Sequence, residues 1–252
     1  MPGANLQEVD KPAAAKYSLE MTNATHAVHE PAVLFSVARA EAARYALLRR
    51  LAPSMRHHLV VNLQPIGMIY EVMERRLRVA EPDLAQVQES ALKINGFARA
   101  ALTSCLDVVT WLAPAESAAT AAHEGVRECV GLLATSLSFR GYAIRNDVTA
   151  VHGEVDRTAM RNVLTAALLH ATDVNPPPGD VVLTAMGLPL GLRLALSLRP
   201  TDGRGGFTNE APYRQIDWGD VQALASAEGV QVERDGVSIH LLLPWVAAQR
   251  AG

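Results

Sequence analysis

Two adjacent histidines, His57 and His58, are the residues of this chain best placed to carry a reactive group, because of where they fall in a long helical pattern. Apolar residues recur at Leu48, Leu51, Met55, Leu59, Leu63, Ile66, Tyr70, Met73 and Leu77 in steps of three and four, which is one face of a helix. At about 100° per residue, His57 lies nearly opposite the middle of that stripe and is expected in water. His58 lies about a quarter turn away, on the flank. An exposed imidazole on a rigid helix can take up and release a transient covalent group, since a partner can reach it and the scaffold holds it still. Metal binding by the pair is poor chemistry. Neighbouring helix residues diverge by about 100°, no further ligand lies at i+4, and His123, His152, His170 and His240 show no ligand spacing. No metal is expected.

The elements that must hold these side chains follow from periodicity. Residues 1–29 mix Pro, Ala, Asn, Thr and charge without a period and read as a flexible tail. Glu30-Pro31 opens a helix that runs to about Arg78, with a bend or local break expected at Pro53 and Pro65. Ala80-Glu81-Pro82-Asp83 is a turn, with Asp83 placed to cap the next helix. That helix repeats Leu84, Val87, Ala91, Ile94, Ala98, Ala101, Cys105, Val108 and Leu112 in alternating threes and fours, a heptad seam. Residues 30–113 are thus an antiparallel helical hairpin. Two helices alone bury little surface, so pairing with a second copy into a four-helix bundle is expected.

Residues 114–122 read as an Ala/Ser/Thr linker, and the texture changes beyond it. Residues 124–139 look helical and 141–149 extended, and Asp156 is placed to cap a helix reaching Thr172. The run Asn175-Pro176-Pro177-Pro178-Gly179 is a hard break. Strands are expected at 180–186 and 190–198, a Gly-rich loop over 200–216, a helix at 218–227, and a hairpin over 230–244 turning at Asp235-Gly236. This mixture, over 123–252, is α+β with mainly antiparallel pairing.

Composition narrows the function classes. Of 252 residues 49% are hydrophobic and only 5% aromatic, so Ala and Leu do most of the packing. The formal net charge of −3 leaves no global basic footprint for nucleic acid. No stretch approaches the ~20 apolar residues of a membrane span, and the first twenty residues do not read as a secretory signal. A cytoplasmic protein that binds neither membrane nor nucleic acid is expected. Cys105 and Cys129 sit in apolar helical settings and read as buried, inert thiols. Trp111 and Trp218 read as core or interface.

A hairpin bearing an exposed His, followed by an α+β domain with this element order, resembles the core of sensor histidine kinases over about residues 40–248. The first part is similar to the family's dimerisation and histidine-phosphotransfer domain. The second is similar to its ATP-binding domain, of the gyrase and Hsp90 type. In the family's His motif the phospho-accepting His precedes Leu by two and by six, and His57, Leu59 and Leu63 match that register, with Ile66 at the next core position. His58 stands where the family has an acid, and Val61-Asn62 where it has a polar residue and Pro.

The family's ATP-binding parts are altered. Ala166 and His170 stand where two Asn residues hold Mg²⁺ and phosphates. Asp202-Gly203-Arg204-Gly205-Gly206 falls a few residues late for the family's Asp-x-Gly-x-Gly, with Arg204 where the first Gly belongs, and no second Gly-rich box follows. The resemblance therefore implies a degenerate nucleotide site with no cofactor of its own.

Phosphoryl transfer from ATP needs Mg²⁺ and cradled phosphates. Relay from an aspartyl phosphate needs only a presented nucleophile, with Mg²⁺ supplied by the partner receiver domain. A histidine titrating in the ordinary range near ~6.5 is largely neutral at pH 7 and attacks through a ring nitrogen. The expected role is a homodimeric histidine phosphotransferase, with His57 as acceptor and His58 as a possible assistant. Arg56, Val60, Val61 and Gln64, with Arg49 and Arg50 nearby, are candidate docking residues for response-regulator receiver domains. An inert pseudokinase scaffold, or an active kinase with a divergent pocket, are the rival readings.

Overall fold

The computed structural model describes residues 13–113, 118–203, 205–206 and 213–246, with side chains from residue 34 onward. Helix α1 spans Ala13–Leu77, so it starts inside the stretch expected as a tail. It also runs unbroken through Pro53 and Pro65, where a bend or break was expected. Each proline removes one backbone donor, but Leu51, Ser54 and Met55 are buried around Pro53, so packing holds the helix there.

Helix α2 spans Leu84–Leu112, and Asp83 caps it by accepting from the amides of Ala85 at 3.0 Å and Gln86 at 3.3 Å. The hairpin is tied across by Asn62 Nδ2 donating to Ser104 Oγ at 3.1 Å and Arg76 Nη1 to Ser90 Oγ at 3.3 Å. The seam read from the sequence turns toward α1 only in part. Ala101 is buried and Val87, Ile94 and Val108 are half-buried, while Leu84, Ala91, Ala98 and Leu112 stay exposed. One position along lies a second stripe, Leu92, Leu102, Leu106 and Val109, also exposed. Leu63, Tyr70 and Leu77 on α1 are open in the same way.

Cys105 corrects an expectation: it is exposed on α2, whereas Cys129 is buried and its thiol is pushed far upward by burial. Alkylation should therefore spare Cys129 until the chain is unfolded, while Cys105 reacts in the single folded chain. Protection of both thiols in the native protein would place Cys105 in an interface.

Strand β1 (Ala119–Ala121) pairs antiparallel with β3 (Glu154–Asp156), which turns the end of the supposed linker into sheet. Between them lie α3 (Ala122–Phe139) and β2 (Tyr142–Asn146). Next come α4 (Arg157–Ala159), a π-helical turn over Met160–Leu164, and α5 (Thr165–Val174), continuous along the chain. Asp156 caps this rod through the Ala159 amide at 2.8 Å. Strands β4 (Gly179–Leu188) and β5 (Gly191–Pro200), helix α6 (Trp218–Ala227), and strands β6 (Gln231–Asp235) and β7 (Ser238–Pro244) complete the domain. The main sheet has order β2-β4-β5-β7-β6, with β2 parallel to β4 and every other pair antiparallel. In β5 the buried Leu192, Leu194, Leu196 and Leu198 alternate with residues more open to solvent such as Arg193, as a strand with one covered face requires.

The base of the hairpin belongs to this core. Ala43, Leu47, Leu51 and Met55 of α1 and Trp111 of α2 share one buried cluster with α3, α5, α6 and the sheet. The two parts of the chain are thus joined by packing as well as by sequence.

Candidate functional site

Ala43, Leu47, Arg50, Ser54, His57, Val61, Gln64 and Met68 recur at threes and fours, so they lie along one face of α1. The α+β domain covers the first part of that face. Ala43 and Leu47 are fully buried, Ser54 nearly so, and the Arg50 side chain is 9% exposed. From His57 onward the face is exposed. His57 is the first open residue beyond the domain's edge, on a helix held by more than three turns of packing behind it.

His58 points elsewhere. It is half-buried and lines a cleft of about 580 Å³ together with Asp107, Trp111, Glu124, Arg127 and Arg157. The two imidazole centres are 6.3 Å apart. One turn on, Asn62 Nδ2 donates to the His58 carbonyl as well as to Ser104, fixing the backbone beside the pair to α2.

The docking candidates divide. Arg56, Val60, Val61 and Gln64 are all exposed, Val60 by 44% and Val61 by 50%. Met68, not among the residues expected from the sequence, extends the patch. It is 63% exposed and falls within about 20° of His57 around the helix. The 57–61–64–68 spacing was the available signal. Arg49 is exposed and its guanidinium lies 4.7 Å from the Tyr213 ring centre. Arg50 is corrected: it is committed inside the protein and offers nothing to a partner.

Arg50 makes a two-point ion pair with Asp173 of α5, both bonds 2.7 Å. The same carboxylate accepts from Arg140 Nη2 at 3.1 Å and from the Ile216 amide at 3.2 Å. Its side chain is 3% exposed, a buried charge that four donors make tolerable. A second pair, Arg44 to Glu228 at 2.8 Å, sits nearer the start of the contact, and Asn162 donates to the same Glu228 oxygen at 2.8 Å.

Near the cleft, Glu128 accepts from Arg161 and Arg157, and the Arg161 guanidinium lies 4.8 Å from the Trp111 ring centre. Burial pushes the Glu128 carboxyl upward, but the bonds from Arg161 and Arg157 outweigh it and hold the group below its ordinary value. A carboxyl held low stabilises the fold at pH above its unfolded value of about 4.3, and this contribution is lost as pH falls through the folded value. Acid unfolding of Glu128→Gln, followed by circular dichroism, should therefore depend less steeply on pH below about 4 than that of the parent.

The two positions that the sequence resemblance sets at a nucleotide site are both buried. Ala166 is fully buried and His170 is 2% exposed. His170 Nδ1 lies 2.9 Å from the Ile216 carbonyl and Nε2 3.2 Å from Arg234 Nη1, with the ring 5.7 Å from that of Trp218. Gly206 lets the loop after β5 press against the α3–β2 turn: a Cβ there would overlap the Arg140–Gly141 backbone. Gly141 in turn needs its φ of 93°. These glycines serve a close approach of backbone to backbone. Arg204 lies outside the described residues. Among the described residues, no group of three or more His, Cys, Asp and Glu could hold a metal ion, and no helix is long and apolar enough to cross a membrane.

No protein-family model matches the chain, and no curated protein matches it. Solved structures do. The catalytic domain of histidine kinase ThkA aligns at 14% identity and TM-score 0.40 over 52% of this chain and 98% of its own. A bacterial phosphotransferase aligns at 15% and 0.36 over 79% and 95%. ThkA described in complex with the response regulator protein TrrA aligns at 14% and 0.38 over 84% and 65%. What the structure itself shows is a helical hairpin followed by an α+β domain. At these scores the alignments assign no residue a role.

Proposed function

We propose that the chain is a histidine phosphotransferase of a two-component phosphorelay, with His57 as the phosphoryl carrier. The observation that carries this reading is the position of His57: exposed, on a helix stiffened by the α+β domain, at the head of an open strip of Val61, Gln64 and Met68. A ring nitrogen of His57 attacks the phosphorus of a receiver's aspartyl phosphate. The N–P bond forms as the acyl phosphate P–O bond breaks, and the aspartate carboxylate leaves. The reverse step loads a second receiver. Mg²⁺ comes with the receiver, and the partner is a response-regulator receiver domain, the class of protein named with ThkA.

The fate of the nucleotide-equivalent positions supports relay over ATP-driven transfer. Ala166 offers no ligand atom, and His170 spends both ring nitrogens on Ile216 and Arg234. A second copy of the chain would cover Leu63, Tyr70 and Leu77 of α1 and the Leu92–Val109 stripe of α2, completing a four-helix bundle. Incubation with a receiver labelled on its aspartyl phosphate should move label to this chain, and labelled ATP with Mg²⁺ should leave it unlabelled. Label from ATP would make it a working kinase, and no transfer from cognate receivers would leave it a scaffold.

The strip itself is testable. Val61→Asp sets a charge in an apolar contact about one turn from His57, and should slow transfer from a cognate receiver by about tenfold or more, equivalent to about 1.4 kcal/mol. Unchanged transfer would remove Val61 from the interface.

A further inference from the structure

We infer that the Asp173 cluster is a lock that holds the α+β domain onto the histidine helix as one rigid body, so that the two do not part during the chain's work. This deepens the relay reading and rests on it only for its purpose. A domain that delivered a phosphoryl group to His57 from its own nucleotide would have to swing along α1 and back. Here the domain covers Ala43, Leu47, Arg50 and Ser54, the stretch of the His57 face directly before His57, and is held there by buried apolar contact and ion pairs. Fully buried Ala43, Leu47 and Leu51 supply the apolar part of that contact. The Arg44–Glu228 and Arg50–Asp173 ion pairs lie among these residues along α1.

Asp173 draws together four separate pieces of chain: α1 through Arg50, the end of α3 through Arg140, its own α5, and the segment before α6 through the Ile216 amide. Arg50 Nη1 also reaches the Arg214 carbonyl at 3.5 Å, and Arg214 is paired to Asp220 at 2.7 and 3.0 Å within the first turn of α6. Moving the domain would strip the charges of Arg50 and Asp173 of their partners at the same instant that Leu47 and Leu51 met water. Those costs arise together, so the joint resists partial opening.

Hydrogen exchange on the full chain, read by mass spectrometry, tests this. In the parent, residues 43–55 of α1 and residues 213–217 should be protected together, with a single opening rate. Arg50→Ala should speed exchange of both stretches at least tenfold while β4 and β5 keep their parent rates. Arg50→Lys, which keeps the charge and gives up the two-point bond, should give a smaller change of the same pattern. Independent fast exchange of either stretch in the parent would overturn the lock. So would Arg50→Ala leaving both stretches unchanged, or β4 and β5 speeding equally with them. Relay measured on the same samples separates the ideas: a freely opening parent that still relays would sink the lock and leave the relay standing.

Discussion

His57→Ala should end the proposed phosphoryl uptake from a receiver, with transfer falling by at least about a thousandfold, because in the relay no other group would take over the attacking nitrogen. The fold should not change. His57 is exposed, so its truncation should move stability by no more than about 0.5 kcal/mol, read as an unaltered urea midpoint. His58→Ala provides the contrast. Its ring lines the cleft at the hairpin's base, away from the open strip, so transfer should stay within about tenfold of the parent, a change worth about 1.4 kcal/mol. Equal losses from the two substitutions would mean that the pair acts as a unit.

Asp173→Ala should be among the most destabilising single changes in the chain, costing about 3–5 kcal/mol. It leaves Arg50 facing a vacated site with its side chain 9% exposed, removes a partner of Arg140, and orphans the Ile216 amide. Against a total stability of about 5–15 kcal/mol for a typical domain, that loss would show as a large fall in urea midpoint. Arg193→Ala, on an exposed position of β5, should shift it by no more than about 0.5 kcal/mol. A small effect at Asp173 would mean that water reaches the cluster and repays the lost bonds.

Periodicity makes most of the architecture legible in the sequence. The cap at Asp83, the cap at Asp156, helix α6 at residues 218–227 and the turn at Asp235-Gly236 all follow from local chemistry, because each depends on residues a few positions apart. Helical spacing alone also placed His57 in water and His58 on the flank. What stayed hidden depends on distant partners. Strand β1 is three residues long, too short for alternation to show, and exists because β3 lies beside it. Arg50 looked like a docking charge because nothing near it in sequence marks Asp173, 123 residues away, as its counter-ion. Cys105 reads as buried because its helical setting is apolar, but within one chain α1 covers only part of that side of α2. The shift to Leu92, Leu102, Leu106 and Val109 shows where further cover would lie.

Mapping the phosphorylated residue after exposure to a phosphoryl-loaded receiver tests the relay most directly. The trapped protein is digested at neutral to alkaline pH, where phosphohistidine survives, and the modified peptide is sequenced by mass spectrometry, with a parallel sample given only ATP and Mg²⁺. The relay predicts a single modified residue, His57, in the first sample and none in the second. Phosphate on His58 or any other side chain, or on His57 in the ATP sample, would contradict it.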